Sequence, residues 1–146
     1  MRRSLVGLAG LGAFLPAISL ACRGSTEITP LTGRMPLMSY NGASIPAVVA
    51  PLPSTGPDGT PQGACNMLVS MGVLELRANA TYTMQLEHRD SCRFTLLNMA
   101  SDSGAVVQIG DSLALRAPDG TQLYWGQVRQ EEVIISGKSV TLAFKR

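Results

Sequence analysis

From Val73 onward the chain alternates. Leu74 and Leu76 fall on one side of an extended backbone and Glu75 and Arg77 on the other, and then Tyr82, Met84, Leu86 and His88 oppose Thr81, Thr83, Gln85 and Glu87. A repeat of two is the signature of a strand with one apolar and one wet face. The pattern runs on through residues 92–97, 106–109, 112–116, 121–128, 133–136 and 140–144. Between these stretches stand Ala78-Asn79-Ala80, Ser103-Gly104, Gly110-Asp111, Pro118-Asp119-Gly120 and Gly137-Lys138, all hairpin punctuation. No stretch beyond the N-terminal segment keeps helical spacing over three turns. The crossover helices of a parallel sheet are therefore missing, and the sheet is expected to be antiparallel.

A meander of seven to nine short strands has two raw edges unless it closes. Closure into an up-and-down barrel removes them. The expected fold is all-β, an antiparallel up-and-down barrel of about eight strands over residues 35–146, with Val140, Leu142 and Phe144 facing inward beside Leu113 and Leu115. An eight-stranded barrel either fills itself with side chains or holds one small apolar ligand. Both remain open from the sequence. The candidate lining residues are Tyr82, Met84, Leu86, His88, Phe94, Trp125 and Phe144, with Leu96 on the same expected inner face. Trp125 suits either a core plug or the floor of a pocket.

The N-terminus carries a different message. Arg2 and Arg3 precede a charge-free run from Leu5 to Leu20, the layout of a secretory signal. Gly7, Gly10, Gly12 and Pro16 make it a poor membrane-spanning helix, and it is shorter than the ~20 residues that a bilayer core requires. The run ends in Ile18-Ser19-Leu20-Ala21-Cys22, which resembles the lipobox of bacterial lipoproteins. That resemblance implies a signal over residues 1–21, a diacylglyceryl group on Cys22, a tether over residues 22–34 and a place in the cell envelope, at the periplasmic face or the outer membrane. One departure is Ser19, where the family prefers Leu. Removing 21 of the 146 residues leaves 125, one domain's worth.

Cysteine usage agrees with export. The chain has three cysteines, and an acylated Cys22 leaves Cys65 and Cys92 as an even pair in an oxidising compartment. A disulfide between them stabilises the fold by about 3 to 4 kcal/mol on the chain-entropy model. Residues 50–64, with four Pro and three Gly, read as a long loop ending where Cys65 pins it.

Charge excludes one class of partner. Of 12 basic residues, Arg2 and Arg3 leave with the signal, so 10 remain against 10 acidic residues. A balanced domain lacks the clustered Lys and Arg that grip phosphates, so nucleic acid is not an expected partner. Catalytic constellations are also missing. His88 is the single histidine; it shares strand parity with Asp90 and Cys92, but a cysteine with a disulfide mate is a staple rather than a nucleophile. No G-x-S-x-G elbow and no C-x-x-C occurs, and the adjacent Glu131 and Glu132 point to opposite sides of a strand start. No enzyme activity, metal or cofactor is expected.

Several short motifs carry a family resemblance. Ser39-Tyr40-Asn41-Gly42 is followed by Ile45-Pro46-Ala47-Val48-Val49, then by Gly72-x-Leu74-x-Leu76 before a turn and Thr81-Tyr82-Thr83. A G-D-x-L-x-L hairpin covers Gly110 to Leu115, and the last strand runs into Phe144-Lys145-Arg146. Together they resemble the lipocalin-like small β-barrel lipoproteins of environmental bacteria. The chain departs from them at Asn79-Ala80, where Asp-Gly is usual; Ala adopts a left-handed backbone poorly, so a different turn type is expected there. The resemblance implies a non-enzymatic envelope lipoprotein that binds a small hydrophobic ligand or serves as an interaction module. The alternative is an envelope inhibitor of a secreted protease or lysozyme, acting through a rigid loop such as residues 50–64.

Overall fold

The computed structural model describes residues 30–53 and 63–146. Ten strands follow in chain order: β1 (Gly33–Tyr40), β2 (Ala43–Ser44), β3 (Ala47–Pro51), β4 (Asn66–Leu76), β5 (Thr81–Asp90), β6 (Leu96–Ile109), β7 (Ser112–Arg116), β8 (Gln122–Val128), β9 (Glu132–Gly137) and β10 (Val140–Lys145). Neighbours pair antiparallel from β4 through β10, β10 pairs with β1, and β1 returns to β4 through Gly33 opposite Leu76 and Pro36 opposite Val73. Eight strands thus close an up-and-down barrel. β2 and β3 lie outside the ring, hydrogen-bonded to β1 and β4 respectively.

The alternation reaches the core as expected. Leu74, Leu76, Tyr82, Met84, Leu86, Leu113, Leu115, Leu142 and Phe144 are buried together with Met35, Tyr124, Val133 and Ile135. Each strand delivers every second side chain inward, and burial of a single Leu, Val or Phe contributes roughly 1.5 to 3 kcal/mol.

Several boundaries differ from the sequence reading, among them Ala50 and Pro51, expected in the long loop but found at the end of β3. The expected tether over residues 22–34 lies outside the described residues up to position 29, but Leu31 is buried in the core and Gly33 and Arg34 already pair with β4. The apolar Leu31 is drawn into the barrel end, and its N–H donates to Gln108 Oε1 at 2.9 Å. At Ser103-Gly104 the chain does not turn; β6 runs straight through for 14 residues. A Cβ on Gly104 would collide with the carbonyl oxygen of Arg116. The glycine serves close strand approach rather than a turn.

The barrel has two unlike ends. The near end gathers Leu31, the β4–β5 turn at residues 77–80, the β6–β7 turn at Gly110-Asp111 and the C-terminal Arg146. At the far end lie Asn41-Gly42, the β5–β6 turn at residues 91–95 and the β9–β10 turn at Lys138-Ser139. β4, β5 and β6 are longer than the strands opposite them, so with β3 they project from the far end as a four-stranded ribbon.

Candidate functional site

The interior was the first candidate. Tyr82, Met84, Leu86 and Phe144 do point inward, at 1, 2, 9 and 0% exposure, and they meet one another and the surrounding Leu, Val and Ile side chains. The middle of the barrel is thus occupied by the chain's own core. His88 sits at the far rim, half-buried, in a row with Val69 and Asn98, and its Nδ1 is shielded from solvent without a hydrogen-bond partner among the described residues.

Phe94, Leu96 and Trp125 do not line the interior. They are 53, 52 and 60% exposed. Residues 92–95 were expected to begin a strand, but they turn. Asp90 Oδ1 accepts the N–H groups of Cys92 at 2.6 Å and Arg93 at 3.2 Å, the Phe94 N–H donates to the Asp90 carbonyl at 2.8 Å, and Phe94 adopts φ +55°. This arrangement resets the phase of the next strand and leaves Phe94 outside, with the Arg89 guanidinium 5.6 Å from its ring centre. In β8 the phase is set by Tyr124 and Gly126, which sit opposite Leu115 and Leu113; the intervening Trp125 must face out, over Ala114 and Ser136. There it borders an open groove of about 330 Å³ shared with Val107 and Ile109.

A polar cluster that the sequence did not announce lies inside the far half of the barrel. Tyr124 donates to Asp102 Oδ2 at 2.7 Å, and the Lys138 ammonium donates to both carboxylate oxygens at 2.8 and 3.0 Å while standing 5.6 Å from the Tyr124 ring centre. Burial by itself would raise the Asp102 carboxyl, but the donors on Lys138 and Tyr124 outweigh it and hold the pKa below the usual 3.8. Burial, reinforced by the Asp102 charge, pushes the Tyr82 hydroxyl up to about 12 and raises Tyr124 further. Tyr82 Oη is buried with no hydrogen-bond partner among the described residues. Three strands and one hairpin meet here, and the cluster ties the β9–β10 turn to β6. Its hydrogen bonds make it a charge-assisted brace.

The disulfide forms as expected. Cys65 and Cys92 are joined with their Cα atoms 5.5 Å apart. Asp90 adjoins the two sulfurs, all three ligand-type atoms lying within 4.8 Å of one another, but the sulfurs are bonded to each other and Asp90 Oδ1 already caps the turn. The group is a staple rather than a ligand set. Ser91 completes it: its N–H donates to the Asn66 carbonyl and its Oγ accepts from the Asn66 N–H, both at 2.8 Å.

The projecting ribbon is the remaining candidate. Its β5–β6 tip displays Phe94, Leu96, Leu97 and Met99 to solvent, with Met71 of β4 beyond them across Glu87. Elsewhere, an apolar groove of about 360 Å³ lies at the near end between Leu31, Ala80 and Val106, and another of about 770 Å³ runs over the outer face of β5 and β6 beside Arg116 and Pro118. Cys22 and most of the 50–64 loop fall outside the described residues. Compared with known proteins, the chain matches no family model, no curated protein and no solved structure.

Proposed function

We propose that this chain is a non-enzymatic envelope lipoprotein, held by a lipid on Cys22, whose barrel works as an interaction module rather than as a carrier. The observation that carries the choice is the filled interior combined with the apolar ribbon outside. A carrier needs space behind its rim, whereas Tyr82, Leu142 and Phe144 occupy the middle of this barrel at 0 to 1% exposure. An interaction module needs an exposed apolar surface on a rigid support, and the stapled tip with Phe94, Leu96, Leu97 and Met99 has that character. The anchor rests on the lipobox-like Leu20-Ala21-Cys22 and the charge-free run before it.

A rigid-loop inhibitor is the second reading. It is favoured by the β5–β6 turn, where the Cys65–Cys92 bond and the Asp90 cap hold Phe94 outward in one conformation. Two experiments test these readings. Labelling cells with a fatty-acid analogue marks the wild-type protein and not Cys22→Ala, which leaves the membrane fraction; equal labelling of both overturns the anchor. Native mass spectrometry of the protein from its own envelope shows a bound protein for a module, a bound hydrolase for an inhibitor and a bound lipid or pigment for a carrier.

A further inference from the structure

Resting on the module reading, we propose that two copies of this chain join along the outer edge of β6, over residues 96–101, as antiparallel strands related by a two-fold axis. On one edge β6 is paired with β5 from Leu96 to Ala105, but β7 covers its other edge only from Ala105 to Ile109. Among the described residues, the edge from Leu96 to Ser101 has no strand partner. Unpaired backbone N–H and C=O groups there are a template for another strand.

Exposed edges in monomeric proteins are commonly blunted by charge, proline or cover. From Phe94 to Ser101 there is no charged residue and no proline. A bulge at Leu97, where β6 steps from Asn98 opposite His88 to Leu96 opposite Arg89, is the one irregularity, and residues 98–103 keep regular register beyond it. Both faces of residues 96–101 are exposed, with Leu96, Leu97 and Met99 at 52, 42 and 50%. Covering this strip and Phe94 on both copies removes on the order of 1,000 Å² from water, the threshold at which a contact is a specific interface.

The strip suits its own copy. It carries no charge from Phe94 to Ser101, and Asp102 beyond it is already engaged by Lys138 and Tyr124, so two copies meet along it without repulsion and without a buried charge left to pair. A lipid surface is the less suitable occupant, because residue 30, which leads toward Cys22, leaves from the near end while the strip lies on the far one.

The test is the mass of the full chain in detergent, followed by light scattering across a concentration series. The expected result is a monomer that doubles in mass in the micromolar range, as weak interfaces of this size do. Met99→Lys and Leu97→Lys are each expected to weaken the dimer at least tenfold, while Ile109→Lys, at a 75% exposed position where β7 already covers the edge, leaves it intact. Where a lysine variant fails to fold, hydrogen exchange on the wild type serves instead, with amides of residues 96–101 gaining protection as concentration rises. A wild type that stays monomeric, a dimer that survives both lysines, or protection confined to another segment overturns the proposal. A foreign peptide or protein on the strip of a monomeric chain also overturns it, yet leaves the module reading standing; loss of fatty-acid labelling strikes the anchor alone.

Discussion

Ala80 and Gly120 hold the same place in two turns that border one surface groove. In one, the Arg77 N–H donates to the Thr81 carbonyl at 2.9 Å and the Ala80 N–H to the Arg77 carbonyl at 3.0 Å; in the other, Ala117 N–H reaches Thr121 at 2.8 Å and Gly120 N–H reaches Ala117 at 2.9 Å. The left-handed residue has φ +57° in the first turn and +85° in the second. Asn79 and Asp119 also correspond, accepting from the Thr81 hydroxyl at 2.7 Å and the Thr121 N–H at 2.8 Å. One turn has a glycine where the backbone demands it; the other has an alanine that costs about 1 kcal/mol or more in that conformation. Ala80→Gly should therefore raise stability by roughly 0.5 to 1 kcal/mol after the greater freedom of glycine in the unfolded chain is set against it. Thermal unfolding followed by circular dichroism reads this as a melting temperature a few degrees higher, and a decrease contradicts it.

Trp125 is the chain's single tryptophan, so fluorescence reports on it alone. Its place on the outer face of β8 predicts red-shifted emission that iodide quenches readily in the native state. Trp125→Ser should change stability by less than about 1 kcal/mol, in contrast to the ~3 to 5 kcal/mol expected for Phe144→Ala in the core. Blue-shifted, quencher-resistant emission means that the phase of β8 is wrong.

Reduction of Cys65–Cys92 should lower the melting temperature, with a loss of about 2 to 4 kcal/mol. The bond ties the start of β4 to the β5–β6 turn, both in the ribbon rather than the ring. Hydrogen exchange should consequently accelerate first at residues 65–70 and 88–99. Uniform loss of protection across β7 to β10 contradicts this locality.

The Asp102 brace gives a pH dependence whose sign follows from its groups. The Asp102 carboxyl is held below its ordinary 3.8, so its stabilising contribution is present above that value and fades as the pH falls through the lower folded one. The Tyr82 hydroxyl behaves in the opposite sense. Raised from 10 to about 12, it favours the fold at neutral pH and loses that contribution as the pH climbs from 10 toward 12. Asp102→Asn should flatten the acid limb of a stability–pH profile, since a neutral amide has no proton to gain. An unaltered acid limb sinks the assignment. Lys138→Met is expected to shift the acid limb upward by removing the ammonium that outweighs burial at Asp102.

Much of the ring was legible because alternation is a local property. Tyr82, Met84 and Leu86 sit where the repeat places them, as do Leu113, Leu115, Leu142 and Phe144, and Cys65 and Cys92 pair, as the expectation of an acylated Cys22 left them to do. What escaped was phase and length. Trp125 and Tyr124 are adjacent, and apolarity favours burying the tryptophan; only the cross-strand partners Leu115 and Leu113 fix the choice, and they lie in another strand. Ser103-Gly104 reads as a turn, although Gly104 in fact lets β6 pass close to Arg116. Splitting β6 there hid Asp102, whose partners Tyr124 and Lys138 are 22 and 36 residues away. Long-range charge pairing of that kind leaves no periodic trace in one sequence.

The fourteen residues of β6 span about 46 Å at ~3.3 Å each. A chain leashed on the side of residue 30 would hold its stapled tip at the other end of that rod. Whatever the tip grasps would then stand clear of the leash, so shortening the barrel's longest ribbon should alter reach without altering grip.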